Sequence, residues 1–253
     1  MALKIRLLLT SACSARCAYC HNEGQSKKTA LLHISTIRDI LEYLISAGHQ
    51  PTEIVLSGGE PTLHKQVADI ARLCKETGTY VSMDSHAGHP QLLKTALPYL
   101  DELKVHIDAF DADKQRQSMG IEIQKVLASI QLAKAFPNLT LIANHPLVDV
   151  QGTVAFVNQA RELAIDCKII DAFNYGLVPI VHWAQLGYTR LDDKTWLHEN
   201  GTHRIYTKRC TAEHNPTDTL FIGADGVRRA VDGDVLGRPD QFNLDWVVNP
   251  MAA

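Results

Sequence analysis

Glu102-Leu103-Lys104-Val105-His106-Ile107-Asp108 alternates without a break, with Leu103, Val105 and Ile107 on one side and Lys104, His106 and Asp108 on the other. Successive side chains of a strand point to opposite faces, so this stretch predicts a strand with one apolar and one polar face. A parallel strand covered by helices on both faces reads as a continuous apolar run instead. The polar face therefore predicts a sheet that curves around a working interior.

On either side of this strand, β and α signals take turns. Strands are expected at residues 4–10, 53–57, 79–83, 139–144 and 166–172. Between them, Ser35 is placed as the N-cap of a helix whose Ile37, Ile40, Leu41, Leu44 and Ile45 share one side, stopped by Gly48. Val67, Ile70, Ala71 and Cys74 repeat the pattern up to Gly78, which predicts a buried Cys74. Further helices are expected from Pro90, over 121–135 and over 153–163. Six β-then-α units in series imply a parallel sheet with right-handed crossovers, here a partial (β/α)6 TIM-like barrel over residues 1–175. Beyond Phe173 the alternation stops. Residues 174–201 are aromatic-rich and irregular, and 219–231 read as two short strands around Ala224-Asp225-Gly226. Residues 176–253 are thus expected as a short irregular cap over one barrel end, in the same domain.

A chain of 253 residues with 45% hydrophobic and 21% charged residues is ordinary for a globular protein. The net charge of −3 gives no reason to expect nucleic acid or an anionic membrane as partner. No stretch approaches the length of a membrane span, and the apolar run 7–9 is too short for a signal peptide. Of six cysteines, three crowd together while Cys74, Cys167 and Cys210 are scattered. That distribution argues for a reducing cytoplasm and a metal rather than a disulfide framework.

The crowded three lie in Cys13-Ser14-Ala15-Arg16-Cys17-Ala18-Tyr19-Cys20, directly after the first strand. Thiolates that close repel one another and are usually gathered by a metal. Three ligands leave a four-coordinate centre one short, which suits an iron–sulfur cluster with its fourth position kept for something else. A zinc knuckle completed by His21, structural or sensing in role, and three buried thiols are the alternatives on spacing alone.

The cysteine loop after strand one and Gly58-Gly59-Glu60-Pro61 after strand two form a specific pair of motifs. Together they resemble the radical S-adenosylmethionine (radical SAM) superfamily, closest in pattern to the branch of the molybdenum cofactor GTP 3′,8-cyclase. The resemblance covers roughly the first 175 residues. It implies that Cys13, Cys17 and Cys20 hold three irons of a [4Fe–4S] cluster, with SAM chelating the fourth. It also puts Tyr19 near the adenine and Gly58, Gly59 and Glu60 at the SAM amino group. Glycines permit close backbone approach and a carboxylate pairs with an ammonium, which agrees. Asp84, Ser85 and Asp108 become ribose candidates, and Asn144 matches a strand-five asparagine of the branch. His106 and Asp108 are the catalytic candidates inside the barrel, with Lys104, His145, Lys168, Asp171, His182 and Arg204 as further substrate contacts.

The resemblance further implies reductive cleavage of SAM to a 5′-deoxyadenosyl radical, with a reducing partner such as flavodoxin or ferredoxin. Relatives often place an auxiliary-cluster cysteine where this chain has Ala230, and Cys210 with Cys167 is too few for a second cluster. One cluster is therefore expected. No cobalamin domain, peptide-grasping domain or ferredoxin-like insert is recognised, so a small polar substrate (nucleoside, sugar or amino acid) is expected. Decarboxylation, dehydration, epimerisation, cyclisation and redox-neutral rearrangement are the outcomes left open.

Overall fold

The structure, a computed structural model, describes residues 3–20, 29–171, 180–209, 219–225, 228–229 and 235–237. Five β-then-α units and a sixth strand follow one another; the α-helix of the sixth unit that the alternation predicts is not found among the described residues. They begin with β1 (Leu3–Thr10), α1 (Ile34–Ser46), β2 (Pro51–Gly58), α2 (Val67–Glu76), β3 (Tyr80–Ser85), α3 (Pro90–Ala96) and β4 (Glu102–His106). Two helices then come in succession, α4 (Ala112–Met119) and α5 (Ile123–Lys134), before β5 (Thr140–Leu147), α6 (Val150–Glu162) and β6 (Asp166–Asp171). β1 to β6 pair in parallel and in sequence order.

Each helix buries one stripe against the outer face of the sheet. Ile37, Ile40, Leu41 and Leu44 do so on α1, Val67, Ile70, Ala71 and Cys74 on α2, and Phe156, Val157 and Ala160 on α6. They meet Ile5, Leu7, Ile54, Leu56, Val81, Met83, Leu103 and Val105, all fully buried. The strand parity predicted for residues 102–108 is the parity observed. Asp111 and Asp149 cap α4 and α6 by accepting from the N–H groups of Lys114 and Gly152. The first helix begins two residues earlier than expected, with His33 rather than Ser35 at the cap position.

The tail is more regular than its sequence implies. A hairpin-linked run, β7 (Tyr188–Arg190), β8 (Thr195–His198) and β9 (Arg204–Arg209), attaches β9 in parallel to β6. On the other side β10 (Thr219–Ile222) pairs in parallel with β1 and leads to β11 (Arg228–Arg229) and β12 (Val235–Gly237). Its described part therefore lengthens the sheet at both edges, giving the order β12-β11-β10-β1-β2-β3-β4-β5-β6-β9-β8-β7. His21, Phe173, Cys210 and Ala230 lie outside the described residues. No described helix is long and apolar enough to cross a membrane.

Candidate active site at the carboxyl ends of the strands

β1 delivers the chain into the cysteine loop, and the turn after β2 is moulded onto that loop. The Gly59 N–H donates to the Thr10 carbonyl at 2.7 Å and the Glu60 N–H to the Ala12 carbonyl at 2.8 Å. A Cβ on Gly59 would stand 2.3 Å from the Ala12 oxygen, and one on Gly58, whose φ is +129°, 2.4 Å from the Thr10 oxygen. Only glycine fits either position. On its far side the loop is tied to α4, where the Arg16 N–H donates to the Met119 carbonyl at 2.8 Å. Gly120, left-handed at φ 72°, leaves room there for the Arg16 guanidinium.

Within the loop Cys13 and Cys20 are exposed and Cys17 is half-buried. Burial pushes the Cys13 thiol up to about 11. Burial, with the nearby Asp108 carboxylate, pushes Cys17 up to about 12. Such thiols become ligands when a positive centre displaces their protons. Among the described residues no three His, Cys, Asp or Glu side chains converge on a point that would hold a single metal ion. A cluster does not require that, because each thiolate binds a different iron. Three separate thiols on one loop, open on the rim and backed by a glycine cradle, fit a [4Fe–4S] cluster.

Glu60 sits in the wall behind the loop with no exposed surface. Its Oε1 accepts from the Thr62 N–H (3.1 Å), the Thr62 hydroxyl (2.6 Å) and the Ser85 hydroxyl (2.7 Å). Its Oε2 accepts from the His86 N–H at 2.9 Å and lies 3.3 Å from His86 Nε2. His86 Nδ1 accepts from the Gly88 N–H at 2.9 Å, so the ring proton is on Nε2. From there a chain runs to Ser14 Oγ (3.0 Å) and on to His89 Nε2 (2.9 Å). The Glu60 carboxylate and the Ser85 hydroxyl, expected to meet SAM, are thus bound to each other and to the protein. The motif groups left facing a ligand are its backbone atoms.

Tyr19 reaches from the loop into the barrel mouth. Its hydroxyl donates to Asp108 Oδ1 and accepts from His106 Nε2 at 2.7 Å, while His106 Nε2 also lies 3.2 Å from Asp108 Oδ1. Burial raises the Asp108 carboxyl, but the His106 and Tyr19 hydrogen bonds outweigh it and hold it below its ordinary range. Burial and Asp108 together drive the Tyr19 phenol far up, so it stays a donor. Gln115 of α4, fully buried, accepts from the N–H groups of Asp108 and Ala109 at 3.0 Å each and fixes the strand end. No periodicity pointed to it.

Below this rim the interior is lined with paired charge. Arg6 donates to Asp84 at 2.7 Å and to Ser57 at 2.9 Å. Lys104 lies 2.5 Å from Glu102 and 3.8 Å from both Glu53 and Asp84. Lys4 meets Glu53 at 3.1 Å. Burial raises Asp84, yet Arg6 and Lys104 prevail and hold it low. Asn144 stands opposite His106 with its Oδ1 buried and without a hydrogen-bond partner among the described residues. The fold thus brings His106, Asp108, Tyr19, Asn144, Lys104 and Lys168 to one interior. His145 instead faces the helices, held by Ile107 and Thr153 and stacked 4.2 Å from Phe156. Asp171 shares that outer parity, Arg204 starts β9 at the opposite end of the sheet, and His182 is exposed on the tail.

A half-barrel with an open thiol loop on its carboxyl rim, a glycine turn moulded against it and a charged interior defines a protein built around a redox cofactor. The chain belongs to the radical SAM superfamily, whose family pattern matches residues 7–155. Members use a [4Fe–4S] cluster and S-adenosylmethionine. The chain is 30% identical over 178 residues to a GTP 3′,8-cyclase of Synechococcus elongatus, covering 66% of this chain and 54% of that one. It is 31% identical over 126 residues to a putative glycyl-radical enzyme activating enzyme of Methanocaldococcus jannaschii, covering 49% and 47%. It spans about half the length of the curated relatives it matches. By fold it resembles SuiB of Streptococcus suis bound to precursor peptide SuiA (TM-score 0.73, 12% identity, 98% of this chain and 65% of that one). It also resembles anSMEcpe with bound AdoMet (TM-score 0.69, 12% identity, 98% and 80%).

Proposed function

We propose that this chain cleaves SAM reductively and uses the product to take hydrogen from a small polar substrate, a nucleoside, sugar or amino acid. The supporting observation is the single hydrogen-bonded unit formed by the cysteine loop and the Gly58–Gly59 turn. When bound, the cluster and SAM would supply a 5′-deoxyadenosyl radical. Cys13, Cys17 and Cys20 would hold the cluster, and the bare backbone of the glycine turn would let the SAM methionyl end lie close to it. Tyr19, fixed by His106 and Asp108, closes one wall of the site and positions what lies against it. The paired charges of the interior suit a polar substrate. Decarboxylation, dehydration, epimerisation and rearrangement all begin from the same hydrogen removal. A cytoplasmic setting with a flavodoxin or ferredoxin as reductant suits exposed cluster thiols.

Anaerobically reconstituted protein is expected to give a reducible [4Fe–4S] resonance and to release 5′-deoxyadenosine from SAM under dithionite. Tight zinc binding with no SAM cleavage would overturn the reading in favour of a structural or sensing metal site.

A further inference from the structure

The charges inside the half-barrel pair off among the described residues, with Lys168 and, at its edge, Lys208 left over. Lys4, Arg6 and Lys104 answer Glu53, Asp84 and Glu102, and Asp108 is taken up by Tyr19 and His106. Lys168 of β6 faces the same interior, paired in register with Asn144 on one side and Tyr206 on the other. It is largely buried, yet it makes no ion pair or hydrogen bond with any described residue. Lys208, exposed to solvent, lies on the same face of the neighbouring strand, opposite Ile170, and is likewise unpaired among the described residues. Beside them the Asn144 Oδ1 is buried, in a residue only 9% exposed, and has no donor to accept from among the described residues. Burial, with Lys104 and Lys208 as like charges, outweighs the attraction of Asp84 and Glu102 and holds the Lys168 ammonium below its ordinary range.

A half-buried cation whose attracting carboxylates, Asp84 and Glu102, are already paired with Arg6 and Lys104 is unfavourable, and so is a buried amide oxygen without a donor. Both deficits sit on adjacent strands at the level of His106, and one ligand would remove both. We propose that Lys168, with Lys208 and Asn144, forms an anion subsite that holds a carboxylate or phosphate group of the substrate. Asn144 Oδ1 accepts from a hydroxyl or amine next to that group. The subsite gives the substrate a charged end and fixes it to the β6 side of the chamber, away from the cysteine loop on β1. The word substrate rests on the function proposed above; the anion subsite itself does not.

The test uses the full chain, reconstituted anaerobically, at constant ionic strength. Inorganic phosphate and succinate are titrated calorimetrically into wild type, Lys168→Met, Lys168→Arg and the exposed-surface control Lys94→Met. At least one anion should bind wild type, Lys168→Arg and Lys94→Met alike, and bind Lys168→Met about tenfold more weakly. The bound anion should raise the melting temperature of wild type and not of Lys168→Met, which without anion should melt no lower than wild type. SAM affinity should stay within about twofold across the set. Failure of both anions to bind wild type, or equal binding by Lys168→Met, overturns the subsite. So does a Lys168→Met protein that loses SAM affinity while keeping anion affinity, since the cation then serves the SAM carboxylate. If anions bind through Lys168 but SAM is never cleaved, the proposed function falls and the subsite stands.

Discussion

Glu60→Gln is nearly isosteric, and the surroundings of Glu60 make its cost calculable. Every neighbour of the carboxylate is a donor: the Thr62 N–H and hydroxyl, the Ser85 hydroxyl, and the His86 N–H and Nε2–H. An amide must turn its NH2 toward one set. Turned toward Thr62 and Ser85 it opposes the Thr62 N–H and forces both hydroxyls to turn from donor to acceptor; turned toward His86 it loses the 2.9 Å bond and faces the ring proton. The second choice is cheaper. It forfeits one charge-assisted bond, about 1.5–3 kcal/mol, and leaves a buried N–H unmet at about 1–3 kcal/mol. Part of this is offset because a charge no longer has to be desolvated. A net loss of about 2–4 kcal/mol in unfolding free energy is therefore expected. Urea denaturation followed by circular dichroism should show a lower midpoint at an unchanged slope, with SAM affinity falling only as the loop loosens. Unchanged stability with SAM binding lost would refute the reasoning, because Glu60 would then be turned to the ligand and not into the wall.

Gly59→Ala should unlatch the cysteine loop. Its Cβ, 2.3 Å from the Ala12 oxygen, forces apart two backbone hydrogen bonds worth about 1 kcal/mol each, and cluster incorporation, read from iron content, should drop with stability. His145 gives the fold an acid sensitivity. Burial holds its pKa down to about 4 against an ordinary 6.5, so the unfolded chain takes up the proton first. Stability is thus full above about pH 6.5 and declines as pH falls toward 4, by about 2–3 kcal/mol at pH 4.5. Urea midpoints across that range should show the slope, and His145→Gln should flatten it. Tyr19→Phe removes the hydroxyl shared by His106 and Asp108, and should cost about 1 kcal/mol while slowing 5′-deoxyadenosine release. Cys17→Ala should abolish that release, whereas Cys74→Ala, buried on α2 away from the rim, should leave it nearly intact.

The elements that sequence reading found are those whose pattern is set by one neighbouring layer. Strand 102–108 declared both its faces because one meets helices and the other meets charge. α4 was missed because only Gln115 and Met119 of its eight residues are buried, too few to make a helical period. In the tail, strands at 219–222 and 228–229 were legible around Ala224-Asp225-Gly226, but β7 to β9 were not: they are short runs, and propensity carries no information about the edge, here β6, that they join. At the site, the cysteines and glycines were legible because their chemistry permits few alternatives. The packing of Glu60 against Thr62, Ser85 and His86 was not, since a carboxylate after two glycines looks the same whether it meets a ligand or a wall. Lys168 was one lysine among several until pairing exposed it as the interior cation left over.

The pairing of β1 with β10 also sets a clock on folding. Lys4 to Leu7 meet partners at Thr219 to Ile222, more than 200 residues later. At about 5–20 residues per second a ribosome needs on the order of ten to forty seconds to make that partner. Until then β1 offers an unpaired, apolar edge beside a freshly made β2, the geometry that templates aggregation. Yield should therefore depend on translation speed and chaperone supply over the last third of synthesis. A burst of misfolded product is expected from chains stalled before residue 219.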